Sequence, residues 1–141
     1  MSRFDDFVVA QDAVWPAVTR ELAAGAKRSH WMWFVFPQIA GLGGSAMAVR
    51  YAIGSIAEAR EYLAHPVLGS RLRDATRLLL AHAGREPGAI LGPVDALKFR
   101  SSMTLFQAAD PAEPLFGAAL AAFYGGVPDP KTLALLRGDP G

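Results

Sequence analysis

The chain reads as all-α, a single compact orthogonal helical domain of about six to eight helices, and three observations carry that reading. Apolar residues recur at i, i+3 and i+4 through most of its 141 residues. Proline and glycine fall where those periodic stretches start and stop. No Asn-Gly or Asp-Gly pair signals a hairpin, and β-branched residues are sparse. The domain is expected over 1–141, with its core from about 4 to 136.

The elements follow in order. Phe4, Phe7, Val8 and Gln11 begin an amphipathic stretch. Asp12 is placed to cap a second helix, with Pro16 in its first turn, where a missing N–H is harmless. Val14, Trp15, Val18 and Leu22 share one side of it, and Gly25 is a natural stop. Ser55 and Glu58 have capping-box spacing at the head of SIAEAREYL. His65–Pro66 ends that helix and starts the next, in which Leu68, Leu72, Ala75, Leu79 and His82 precede Gly84. A further helix runs from Pro93 to about Ala108. Asp110–Pro111, with Glu113 three positions after the aspartate, caps AEPLFGAALAAFY, which Gly125–Gly126 ends; Asp129–Pro130 opens a short last helix. WMWFVF, residues 31–36, is apolar on both alternating faces, so a short extended segment and a buried helical turn both fit it.

Composition excludes several classes of function. Fourteen basic against thirteen acidic residues leave a net charge of +1, so nucleic-acid binding through bulk charge is not expected. There are no cysteines, hence no disulfides, zinc-thiolate sites or thiol nucleophiles. The three histidines, at 30, 65 and 82, lack the close helical pairing of a zinc site, and no metal or other cofactor is expected. Ser29 to Val49 carries no charge, but Pro37, Gln38, Gly41, Gly43 and Gly44 break it, so a membrane span is not expected. Asp5 and Asp6 stand where a signal peptide needs a basic start, and a cytoplasmic location is the expectation.

Three clusters carry chemistry. In KRSHWMWFVFPQ, residues 27–38, helical spacing makes Lys27, His30 and Trp31 neighbours, and a cation beside an indole forms a cation–π pair or sandwiches a planar anion. His30 is the candidate acid or base. The rings of Trp31, Trp33, Phe34 and Phe36 also suit a core from which Lys27 and Arg28 reach outward. GLGGSA, Gly41 to Ala46, matches a phosphate-loop pattern but lacks the flanking strand and βαβ units, so it reads first as a turn. Ser45 is its helix N-cap, with the glycine N–H groups open to an anion. In DALKFRSSMTLF, Lys98, Ser101 and Ser102 cluster beside the apolar stripe, with Arg100 and Thr104 on the adjoining strip. Hydroxyls are indifferent helix formers, and with two cations they suit a phosphate or another multi-oxygen ligand.

These blocks, with KRSHWMWFVFPQIAGLGGSAMAVRYAI, EAREYLAHPVLGSRL and DALKFRSSMTLF as the extended segments, resemble the bacterial proteins grouped as domain of unknown function 1810, sometimes labelled calpastatin-like. The resemblance spans roughly Phe4 to Leu136 and implies a small, mainly helical soluble protein with no assigned role. Calpastatin-like inhibitors are long, repetitive and disordered, unlike this apolar chain. In layout the clusters are also loosely similar to NADAR proteins, helical domains associated with N-glycosidic bonds of ribose-containing nucleotides.

The resulting expectation is one pocket where residues 27–38 meet the Lys98–Thr104 helix, taking a small anionic phosphate- or ribose-bearing molecule. Lys27, Arg28, Lys98 and Arg100 would neutralise charge. Ser29, Ser101, Ser102 and Thr104 would orient oxygens, together with Gln38 and Ser45, and Trp31 or Trp33 would stack on a ring. Any chemistry would be hydrolytic, at an N-glycosidic bond, with His30 as acid/base. The competing expectation is a non-enzymatic interaction module that uses the aromatic segment as a groove or self-association face.

Overall fold

The structure, a computed structural model, describes residues 3–138; the first two and last three positions of the expected 1–141 domain lie outside the described residues. It is all-α. In chain order the helices are α1 (Arg3–Ala24), α2 (Met32–Val35), α3 (Ala46–Arg50), α4 (Ile56–Ala64), α5 (Leu68–Leu80), α6 (Pro87–Leu91), α7 (Pro93–Ala109), α8 (Pro114–Tyr124) and α9 (Pro130–Leu136). None of them is long and apolar enough to cross a membrane.

Helix α7 is the axis of the molecule. It packs against α4, α6, α8 and α9, and every residue from Ser101 to Phe106 is buried. Over that stretch the helix is enclosed and buries its polar positions with its apolar ones, whereas Val94 and Leu97 nearer its start are exposed. Phe36 and Phe99 make one ring contact in this core, and Tyr62, Phe106 and Phe116 form a separate chain of ring contacts.

Several expected boundaries hold and others move, each for a local reason. Ser55 Oγ accepts from Glu58 N–H (3.1 Å) at the head of α4. His65 sits between α4 and α5, where its Nδ1 accepts from the N–H groups of Val67 and Leu68, both at 3.2 Å. Asp129 caps α9 through Thr132 N–H (3.0 Å). The expected break at Asp12 does not occur: α1 is continuous with Pro16 inside it. The Asp12 carboxylate is drawn instead to Arg71 of α5, at 2.6 Å. The helix after Asp110 begins at Pro114, because Asp110 terminates α7 and Glu113 takes the N-cap position.

The aromatic segment holds a helical turn, α2, so the extended reading near 31–36 is corrected. Extended pairing falls nearby, in a parallel bridge between Ile39 and Ile53. Ala40 N–H donates to Ile53 C=O and Ile53 N–H to Gln38 C=O, each at 2.8 Å. That bridge closes the 38–53 loop and fixes Gln38.

Glu21 organises the start of this region. It is 6% exposed, on the inner face of α1. Its carboxylate accepts from Arg28 N–H (2.7 Å), Ser29 N–H (2.9 Å), Ser29 Oγ (2.5 Å) and the Trp31 indole N–H (3.1 Å). Burial alone would raise its pKa; the four donors, led by the Ser29 hydroxyl, outweigh burial and hold it at about 2 against an ordinary 4.5.

Glu21 therefore stabilises the fold fully above pH 4.5, and that contribution is lost as pH falls from 4.5 toward 2. At about 1.4 kcal/mol per tenfold change in proton affinity it amounts to about 3 kcal/mol. Urea unfolding of wild type and Glu21→Gln at pH 6 and pH 2 checks this. The stability gap is expected to be about 3 kcal/mol at the higher pH and to close at the lower. A gap that does not change with pH would show that the carboxylate is not the source.

Candidate functional site

Fixing residues 28–31 to Glu21 decides what the neighbouring side chains can do. Trp31 is fully buried with its indole N–H on Glu21, so it faces the core and stacks on no ligand. Ser29 spends its hydroxyl on the same carboxylate. The Lys27 side chain is only 7% exposed; its ammonium pairs with Asp95 at 2.9 Å, donates to Ser29 C=O at 2.7 Å and lies 5.0 Å from the Trp31 ring centre. This cation–π pair was foreseen, but the cation faces inward.

Asp95 joins this buried pair to the surface. Its Oδ2 meets Lys27, and its Oδ1 lies 3.6 Å from the Lys98 ammonium one turn along α7. Lys98 in turn stands 5.2 Å from the Trp33 ring centre. Phe36 and Phe99 close the junction from inside, 4.9 Å apart. The aromatic segment and α7 thus meet as expected.

A cleft of about 400 Å³ opens at that meeting, lined by Gln38, Leu42, Lys98, Arg100, Ser101, Asp129 and Lys131 among others. A second hollow of about 90 Å³ adjoins it through the shared residues Gln38 and Gly43, with Trp33 and Tyr51 in its wall. Of the residues singled out in sequence, Lys98, Arg100, Ser101 and Gln38 line the cleft and Trp33 lines the hollow. Arg100 is anchored, since its guanidinium donates to Val127 C=O (2.9 Å) and Pro128 C=O (3.0 Å).

The remaining candidates are placed elsewhere. Ser102 is fully buried, and among the described residues its hydroxyl has no partner. Thr104 is buried too; its Oγ1 donates to Arg100 C=O (2.8 Å) and accepts from Asp129 N–H (2.9 Å). Ser45 caps α3 through Ala48 N–H (3.2 Å), outside the cleft. Arg28 and His30 are exposed and do not line it. The expectation that three hydroxyls of α7 point at a ligand is corrected: an enclosed helix turns two of them to protein, and only Ser101 reaches the cleft wall.

Sequence reasoning missed Asp129 and Lys131. Asp129 was read only as a helix cap. Its Oδ2 does cap α9, but it also accepts from Ser101 Oγ at 3.2 Å, tying the cap to α7 and placing it in the cleft. The mid-helix hydroxyls were the available signal, because they hold the aspartate rather than a ligand.

Comparisons with known proteins agree with this architecture. The model of a family described as "Protein of unknown function (DUF1810)" matches residues 1–136. The crystal structure of the conserved hypothetical protein Rv1873 from Mycobacterium tuberculosis is similar at 53% identity and a TM-score of 0.92, over 94% of this chain and 95% of that one. The curated proteins give no significant match.

The two buried hydroxyls predict opposite outcomes. Ser102→Ala is expected to leave stability unchanged or to raise it by about 1 kcal/mol, since an unpaired buried hydroxyl costs free energy. Thr104→Val is expected to lower it by about 1–3 kcal/mol, because Asp129 N–H loses its acceptor. Chemical denaturation of both variants measures the contrast.

Proposed function

The chain belongs to the DUF1810 family, which prescribes no activity, and we propose from the geometry of the cleft that it binds a small anionic molecule, phosphate- or ribose-bearing. The observation that carries this reading is the convergence of Lys98, Arg100 and Lys131 on one cleft with the Gln38 amide. Cations supply charge and neutral polar groups supply direction, the combination a multi-oxygen anion requires. At about 400 Å³ the cleft lies in the usual range for small-molecule sites, roughly 300–1,000 Å³.

Hydrolysis of an N-glycosidic bond by His30 gains no support from the geometry, because His30 does not line the cleft. Binding is the reading proposed. The alternative of an aromatic docking groove is likewise weakened: Trp31, Phe34 and Phe36 are core, and Trp33 is half-buried beneath Lys98.

Calorimetric titration with inorganic phosphate, ribose 5-phosphate, nucleotides and ADP-ribose tests the proposal. Lys98→Ala is expected to weaken binding of the phosphate-bearing ligands about tenfold or more. Its melting temperature should barely move, since a part-exposed ion pair contributes roughly 0–1 kcal/mol. Loss of the apo fold in Lys98→Ala would make Lys98 structural and sink the assignment. Affinity is also expected to fall as salt is raised, as screening of exposed cations requires.

A further inference from the structure

If the cleft takes an anion as proposed above, the one carboxylate that lines it among the described residues needs explaining. Asp129 lines the same wall as Lys98 and Lys131. A carboxylate there works against a bare anion by like-charge repulsion. Three hydrogen bonds reach its side chain, from Thr132 N–H (3.0 Å), Thr132 Oγ1 (2.5 Å) and Ser101 Oγ (3.2 Å), whose one proton is shared with Leu97 C=O at 3.1 Å, and all three end on Oδ2. Its backbone N–H is held as well, by Thr104 Oγ1 at 2.9 Å. The carboxylate is thereby fixed in orientation, with Oδ1 as the oxygen that capping does not use. An ionised carboxylate oxygen only accepts hydrogen bonds. A partner for Oδ1 must therefore carry an O–H or N–H donor.

The surrounding charge narrows the choice. Lys98, Arg100 and Lys131 oppose an ammonium in the same cleft, which leaves a neutral donor such as a sugar or polyol hydroxyl. The geometry points to Asp129 as the residue that selects a hydroxylated phosphate, a sugar phosphate, over a simple anion. The lysines take the phosphate, and Asp129 Oδ1 accepts from a hydroxyl. Ser101 and Thr104 are positioning residues that act through Asp129. A fixed acceptor discriminates strongly, because a ligand without the donor leaves it desolvated and unpaired.

Titration of wild type and Asp129→Asn with ribose 5-phosphate and with inorganic phosphate tests this. Asparagine is also a good N-cap, so α9 is expected to persist in the variant. Wild type should bind ribose 5-phosphate at least tenfold tighter than phosphate. Asp129→Asn should cut that preference to threefold or less while phosphate binding holds or improves. Equal affinities in wild type, or a preference unchanged in Asp129→Asn, overturn the role of Asp129 and leave anion binding standing. If wild type binds neither ligand at millimolar concentration, both readings fall. Should Asp129→Asn fail to fold, Ser101→Ala removes one of the three donors that orient the carboxylate without changing charge. A severalfold drop in preference there supports the selection, and no drop overturns it.

Discussion

A carboxylate taken out of water must be matched by donors or lose its charge, and at Glu21 the matching fixes more than the residue itself. Four donors from residues 28–31 converge on it, so the chain leaving α1 has one course. That course buries Trp31, turns the Lys27 ammonium inward and seats it on Asp95. Asp95 then shares its second oxygen with Lys98 at the edge of the cleft. A line of alternating charge runs from the interior to the surface, and the position of the outermost cation depends on the innermost anion.

The second constraint is the enclosure of α7. With α4, α6, α8 and α9 around it, every residue from Ser101 to Phe106 is interior. Ser101 and Thr104 meet the loop before α9 with hydrogen bonds that fix Asp129. The polar content of the helix thus shapes the cleft at one remove: hydroxyls hold the aspartate, and the aspartate faces the cleft.

The helical class and most helix ends were legible because they rest on local chemistry. Ser55, His65 and Asp129 mark boundaries through bonds to residues two or three positions away. Errors came where a distant partner outbid a local one. Asp12 pairs with Arg71 across the fold, and α1 passes through Pro16 unbroken. The site was half legible for the same reason. Lys98, Arg100, Ser101, Gln38 and Trp33 were found from residue type and spacing, since α7 and the 31–38 turn do meet. Lys27 and Trp31 have the right chemistry and face the other way, because Glu21 is ten positions before Trp31 and no spacing rule connects them. Asp129 and Lys131 reach the cleft only through tertiary packing of α9 on α7.

Each of the three tryptophans has a cation near its ring: Arg71 at Trp15, Lys27 at Trp31 and Lys98 at Trp33. The three pairs differ in freedom. Lys27 is locked among an aspartate, a carbonyl and an indole, and Arg71 is held by Asp12 and Gln11. Among the described residues, Lys98 has only a loose ion pair, at 3.6 Å, besides its indole. A ligand bound as proposed that drew the Lys98 ammonium aside would change the electric field on Trp33 most directly, with Trp15, whose cation lies outside the Lys27–Asp95–Lys98 line, as the internal reference. The protein thus carries its own optical gauge of occupancy, with no label attached.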